Sequence, residues 1–450
     1  MRTTPANRCR LVTLFVSVAF LQTTTAAAST YTPELDLTGY LQESVSFRRS
    51  DLNDVLFHRQ TLNIDAETDL GDSIMVSLEA DLWRDNADFL GAPEGEARLR
   101  EGFARYSLDA ADLTVGRWQT AWGESDAVIV SDQITPFDFS NFIVPEFDEI
   151  RLGVDGILFD YYLDNGDDVQ LIWISRFQPP DLARLDSPWS LLPADLIDTF
   201  GVVVEDTIKP GWAVENSEYG IRYSGHPLIA ATFVDWSIGY FYSWDDRPAL
   251  RLTSPGGIIT LTPEHERYHL FALNIAAPVR SVLLRIDSAY ERGRYLSTFD
   301  VNDPFDPAAL PTAGDGFVVR QDVWRTLVGI DLKPDFKWWQ QADLSLQLVH
   351  EQVTHPHAGL AEARETDLIV IIAQAAYLNE TVSPWLLAVV NTSGDDYWVQ
   401  AKIDYEPFDD WRFTIESDVF VGHAFDGSNG GRFGNFDEND MIMLSARYSY

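Results

Sequence analysis

Ser73 to Trp83 reads SIMVSLEADLW. Ile74, Val76, Leu78, Ala80 and Leu82 recur at every second position, with Ser77, Glu79 and Asp81 between them and Met75 as the exception. A period of two marks a strand with two unlike faces. The stretch before it repeats the pattern, with Leu62, Ile64, Ala66, Thr68 and Leu70 opposing Thr61, Asn63, Asp65, Glu67 and Asp69. Farther on, Val234, Trp236, Ile238, Tyr240 and Tyr242 alternate with Asp235, Ser237, Gly239 and Ser243, broken by Phe241. A dry core would not accept Asp65, Glu67 and Asp81. An apolar face toward lipid and a polar face toward a wet lumen accommodates both sets.

Such runs begin near residues 34, 55, 73, 98, 112, 151, 169, 216, 231, 265, 282, 318, 340, 366, 385, 396, 411 and 440. That gives about eighteen strands, with sixteen and twenty as the bounds. Short turns are expected at Gly71-Asp72, Ala110-Ala111, Asn165 to Asp168, Gly225 to Pro227, Pro278 to Arg280 and Phe408 to Asp410. Longer connections fall between them, at 86–97, 118–150, 178–214, 245–264, 296–317, 354–365 and 423–439. Short periplasmic turns alternating with long outer loops are the pattern of outer-membrane barrels. The expected fold class is therefore all-β, an antiparallel transmembrane β-barrel with both chain ends on the periplasmic side. The apolar run Thr366 to Leu378 and the short outer connection at Gly394-Asp395 fit the alternation least.

Aromatic residues near strand ends are read as interface girdles: Trp244, Trp338, Trp339, Trp385, Tyr397, Trp398, Trp411 and Tyr448. The last strand carries Ile442, Leu444, Ala446, Tyr448 and Tyr450 on one face. A terminal aromatic on such a strand resembles the signal by which Gram-negative barrels reach their assembly machinery. Residues 1–28 read as a secretory signal peptide, with Arg2, Arg8 and Arg10, the apolar run Leu11 to Leu21, and Ala26-Ala27-Ala28 before Ser29. That run is too short to span a bilayer as a helix. Cys9, the only cysteine, lies within it, so residues 29–450 have neither a disulfide nor a cysteine metal site. They read as a single barrel domain with no linker and no plug upstream of Glu34. A net charge of −38 argues against nucleic acid as a partner, while 46% apolar and 13% aromatic residues argue against disorder.

One long connection stands out. Between Arg117 and Arg151 lie Glu124, Asp126, Asp132, Asp138, Glu146, Asp148 and Glu149, and no basic residue. A connection of this length in a compact fold is usually functional. Here it is expected to fold into the barrel and narrow the lumen, with Arg117 beside it and cations favoured by its carboxylates. Arg59, Arg105, Arg222, Arg285, Arg325, Arg412 and Arg447 have lumen-facing parity. Paired with acids on neighbouring strands, they would simply brace the wall. Opposite the acidic loop, they would set up a transverse field at a constriction.

Gly116-Arg117, then Trp122-Gly123-Glu124-Ser125-Asp126, then Pro136-Phe137-Asp138 resemble a segment of a large, mostly uncharacterised family of Gram-negative porin-like proteins. Those proteins carry Gly-Arg-Gln, Trp-Gly and Pro-x-Asp in similar places, and Trp118 stands here where the glutamine would. The resemblance spans some forty residues and implies a barrel rather than a substrate.

His350, Glu351, His355 and His357 offer metal-ligand chemistry, but Pro356 separates the last two histidines and no second shell is apparent. No nucleophile motif is visible. Neither a cofactor nor a metal nor catalysis is expected. The expected function is a porin, a monomer or homotrimer among outer-membrane lipid and lipopolysaccharide, passing small solutes by diffusion. The alternatives are a selective channel for apolar molecules and a barrel enzyme or surface-binding protein. For the former, loop 178–214 offers Leu182, Leu185, Trp189, Leu191, Leu192, Leu196 and Ile197.

Overall fold

The computed structural model describes residues 34–87, 90–91, 93–143, 149–190, 201–229, 232–298, 316–335, 339, 341–360, 363–422 and 432–450. Residues 1–33, with the expected signal sequence among them, and Trp338 lie outside them. Eighteen strands form one antiparallel sheet. In chain order the first six are β1 Leu35–Arg48, β2 Asp51–Asp69, β3 Ile74–Asp85, β4 Glu94–Leu108, β5 Ala111–Trp118 and β6 Val154–Tyr162. Next come β7 Asp168–Ile174, β8 Glu218–Gly225, β9 Asp235–Trp244, β10 Arg267–Val279, β11 Val282–Ser297 and β12 Val318–Leu332. The last six are β13 Asp343–Thr354, β14 Glu365–Gln374, β15 Val382–Asn391, β16 Asp396–Phe408, β17 Trp411–Val421 and β18 Met441–Ser449. β1 pairs with both β2 and β18, Tyr40 lying opposite Ser449, so the sheet closes and leaves no edge.

Register converts the alternation into two faces. Leu41, Leu62 and Leu82 lie side by side across β1 to β3, and Leu41 and Leu82 are about half exposed. In the next row Tyr40, Asn63, Asp81 and Arg98 face inward, and Asn63 Nδ2 donates to Asp81 at 2.8 Å and to Glu79 at 3.0 Å. In this row Asn63 and Asp81 thus satisfy one another.

Connections at one rim are 70–73, 109–110, 163–167, 226–234, 280–281, 333–342, 375–381 and 409–410, and both ends of the sheet lie there. The other rim carries 86–93, 119–153, 175–217, 245–266, 298–317, 355–364 and 422–440. It also has two tight turns, 49–50 and 392–395. In the second, Asn391 Oδ1 accepts hydrogen bonds from the backbone N–H groups of Ser393 and Gly394, so four residues suffice.

Two girdle expectations are corrected. Trp385 faces inward, with the Lys402 ammonium 5.4 Å from its ring, because its neighbour Leu386 takes the lipid face. Trp398 is buried inside while Tyr397 faces out. Adjacent strand residues cannot share a face. The apolar run after Thr366 is also explained: Leu368 and Val370 join the interior apolar cluster where loops fill the lumen.

Gly116 has a φ of +136°, and a Cβ there would lie 2.3 Å from the Gly102 carbonyl oxygen. Gly116→Ala is expected to destabilise the barrel by about 2 kcal/mol. The check is the denaturant midpoint of heat-modifiable gel mobility, which should fall; an unchanged midpoint would refute this strain.

Candidate functional site

Residues 119–143 turn inward from the end of β5 and attach to the inner face of the wall. The Trp122 indole is fully buried, its N–H donating to Gln170 Oε1 at 2.7 Å and its ring edge-on to Phe241. Two glycines of the wall make room for it. A Cβ at Gly239 would fall 2.7 Å from the indole, and one at Gly220 3.3 Å from it. An irregular segment must find partners for its backbone groups, and inward side chains supply them. Arg222 donates to the Ala121 carbonyl at 3.2 Å, Asn274 to the Trp122 carbonyl at 2.5 Å and Arg285 to the Glu124 carbonyl at 2.7 Å. Asp287 accepts from the Glu124 N–H at 3.1 Å. Gln133 donates to Glu291 at 2.7 Å and accepts from the Tyr268 hydroxyl at 2.8 Å.

The loop carboxylates are largely consumed by arginines. Asp126 accepts from Arg285 at 2.6 Å and from Gln347 at 2.7 Å. Asp132 pairs with Arg151, which also donates to Thr135 at 2.9 Å and lies over the Phe137 ring. Asp138 pairs with Arg98 at 2.6 Å, and the same guanidinium reaches Asp181 at 2.7 Å. Glu149 pairs with Arg447. Burial raises the Glu124 carboxyl above its ordinary range, against the pull of Arg285. Burial would also raise Asp138, but Arg98 and Ser140 hold it below the usual range, whereas burial prevails at Asp181. Glu146 and Asp148 lie outside the described residues.

Two cavities meet across this loop. The larger, of about 1100 Å³, opens toward the short-turn rim at Arg280, Ser281 and Lys333. The smaller, of about 140 Å³, lies between the loop and the walls of β1–β4 and β16–β18. Arg151, Lys402 and Glu416 line both. The larger cavity is lined by five basic and five acidic side chains, the latter being Asp126, Asp132, Asp331, Asp343 and Glu416. The smaller is lined by Arg59, Arg98, Arg100, Arg151, Lys402, Arg412 and Arg447 against Asp81, Asp138, Glu149 and Glu416, seven positive to four negative. Arg59 lies 4.4 Å from the Trp83 ring and 4.8 Å from that of Phe57.

Of the other arginines named from parity, Arg285 faces the larger cavity, and Arg325 joins a buried network with Glu291 and Glu351. Arg105 lies apart, donating to Thr114 at 3.2 Å. Arg117 is a correction: it faces outward beside exposed Val115 and pairs with Asp155 at 2.9 Å. Trp118 takes the inward position and is buried in the interior apolar cluster. Sequence reasoning missed Arg98 and Arg100 as lining residues. A bulge in β4 opposite Glu79 and Ala80 reverses the parity set by Arg105.

On the long-loop side of the interior, Phe142, Trp189, Trp398, Phe420, Phe433 and Phe436 pack together, with Phe142 held at a φ of +57°. Arg432 reinforces this with two contacts of 2.8 Å to Glu351. Trp189 is thus spent on joining three loops, while Leu182 and Leu185 stay exposed and 191–200 lie outside the described residues. Of the histidines weighed for metal, His350 pairs with Asp367 and His357 accepts from the Gly359 N–H.

Residues 84–450 match a family described as a protein of unknown function, DUF1302. The chain belongs to that family. No curated protein matches it in sequence. Among solved structures it is similar to OccAB3 of Acinetobacter baumannii, at 9% identity over 93% of this chain and 99% of that one, with a TM-score of 0.50. OccD3 (OpdP) of Pseudomonas aeruginosa matches at 9% identity over 92% of this chain and 91% of that one, TM-score 0.48. The outer membrane channel DcaP of A. baumannii matches at 11% over 95% and 100%, TM-score 0.45. The feature shared with OccAB3 is the closed antiparallel β-barrel fold.

Trp122→Ala removes the loop's main anchor, at a cost of about 3–5 kcal/mol for a buried tryptophan. Single-channel conductance is expected to rise and become noisier in planar bilayers. Conductance equal to the wild type would mean that Trp122 does not hold the loop in place.

Proposed function

We propose that this DUF1302 protein is an outer-membrane porin passing small solutes by diffusion through the neck at Arg151, Lys402 and Glu416, and that the neck favours small anions. It carries out no chemistry and needs no cofactor. The observation that carries this reading is the basic excess around the smaller cavity, in a chain whose net charge is −38. Rings of Arg and Lys favour anions in pores, and low-dielectric walls focus their field. The cation preference expected from the loop's seven carboxylates is not supported by the geometry. Asp126, Asp132, Asp138 and Glu149 are each neutralised by an arginine close by. The seven basic side chains each have an acid within ion-pair contact as well, and the reading rests on their seven-to-four excess among the groups that line the smaller cavity. Asp126, Asp132, Asp138 and Glu149 then act by holding their arginines in place across the lumen.

Export through the 1–28 signal, insertion by the barrel assembly machinery through Tyr450, and association as a homotrimer belong to the same proposal. Tyr450 sits at the closing seam, its N–H donating to the Gly39 carbonyl and its hydroxyl to that of Asn63.

Reversal potentials in a potassium chloride gradient test the reading. The wild type is expected to be anion-selective, and Lys402→Glu to move the reversal potential toward cations by placing a second acid beside Glu416. A cation-selective wild type would overturn the proposal.

A further inference from the structure

Register places Phe271, Tyr290 and Trp324 in one outward row across β10, β11 and β12. Adjacent ring centroids lie 6.3 and 6.0 Å apart. Outward aromatic rows belong at the headgroup level of a membrane. Two residues farther toward the long-loop rim, about 7 Å along a strand, the apolar character ends. His269 there lies opposite Arg292, and Arg320 and Asp322 continue the row on β12.

These residues and Gly293 enclose a hollow of about 420 Å³ on the outside of the wall. Gly293 makes it. It sits in a β-bulge at a φ of +82°, and a Cβ there would lie 2.5 Å from Arg320 Nη2. The missing side chain lets the Arg320 guanidinium lie across the backbone, its Nε–H donating to the Gly293 carbonyl at 3.1 Å. Asp322 is the one acid of the hollow, and both its oxygens are engaged. Oδ1 accepts from the Gly293 N–H at 2.8 Å and Oδ2 from the Tyr290 hydroxyl at 2.7 Å. Arg292 and Arg320 are exposed, and neither forms an ion pair among the described residues. Two unpaired guanidinium groups on a membrane-facing wall are costly unless an anion meets them there.

The geometry points to a binding site for a phosphate group of the outer-leaflet glycolipid, lipopolysaccharide, held by Arg292 and Arg320 with His269 as a further donor. Guanidinium matches phosphate in shape and charge. The hollow faces lipid rather than the lumen, and it sits beside the aromatic row on the rim that carries the long loops. Both features favour an outer-leaflet headgroup over a soluble anion. The site is independent of what passes through the pore.

The test uses the full barrel, folded and purified in detergent, with bisphosphorylated lipid A as the probe and native mass spectrometry as the readout. Wild type should bind lipid A, and the Arg292→Ser, Arg320→Ser double variant should bind it at least about tenfold more weakly. The Arg292→Lys, Arg320→Lys variant should retain most of the binding. Heat-modifiable mobility reports the fold of each. Should the serine variant not fold, dephosphorylated lipid A on the wild type gives the same test, and it should bind weakly. Equal binding by the serine variant, or of dephosphorylated lipid A, would overturn the site. Equal competition by phosphatidylglycerol or by free inorganic phosphate would overturn its assignment to the outer-leaflet glycolipid.

Discussion

Closure of the sheet is the constraint on which everything else rests. In a hydrocarbon environment each unpaired backbone N–H or C=O costs several kcal/mol. The pairing of β1 with β18 over Tyr40 to Arg48 removes the last edge. Once closed, the period of two leaves no freedom: each side chain belongs either to lipid or to the lumen. A lumen ringed by eighteen strands is too wide to be filled by wall side chains alone. Here it is divided by residues 119–143, whose attachment requires wall positions without side chains at Gly220 and Gly239.

The interior electrostatics follow from that division. A free carboxylate lodged against the wall would be desolvated, and a nearby arginine on a neighbouring strand offsets that cost only with good geometry. Asp132 with Arg151, and Asp138 with Arg98, are both largely buried and within ion-pair contact. Pairing fixes the loop, but it also removes the acids from the field felt by a passing solute. The groups lining the smaller cavity are unevenly distributed, seven basic against four acidic. Net charge over a whole chain is therefore a poor guide to the charge of its pore.

The wall was legible in the sequence because its period is forced by the pleat: all eighteen strands appear close to where the alternation places them. Legibility failed where a local feature breaks the period. The bulge in β4 turned Arg98 and Arg100 inward, contrary to the parity of Arg105. Tryptophans near strand ends divide between girdle and interior by parity alone, and Trp385 and Trp398 fell on the inner side. Arg117 marked the loop correctly in sequence but faces outward, because Trp118 fills the inward position. Parity named Arg285 and Arg447 as lumen-facing, but not which of the loop carboxylates they meet. The two arginines stand 159 and 298 residues from their partners in the chain.

The central claim is that residues 119–143 cross the lumen and rest on its far wall. The most direct measurement is a disulfide between Ser131→Cys and Asn274→Cys, whose native side-chain oxygens lie 3.1 Å apart. Cys9, the one native cysteine, lies within the predicted signal sequence, so the engineered pair would be the only thiols of the exported chain. An inward loop predicts a spontaneous disulfide in exported protein, seen as a reduction-sensitive gel shift in barrels that remain heat-modifiable. Two free, fully alkylatable thiols in correctly folded barrels would contradict it.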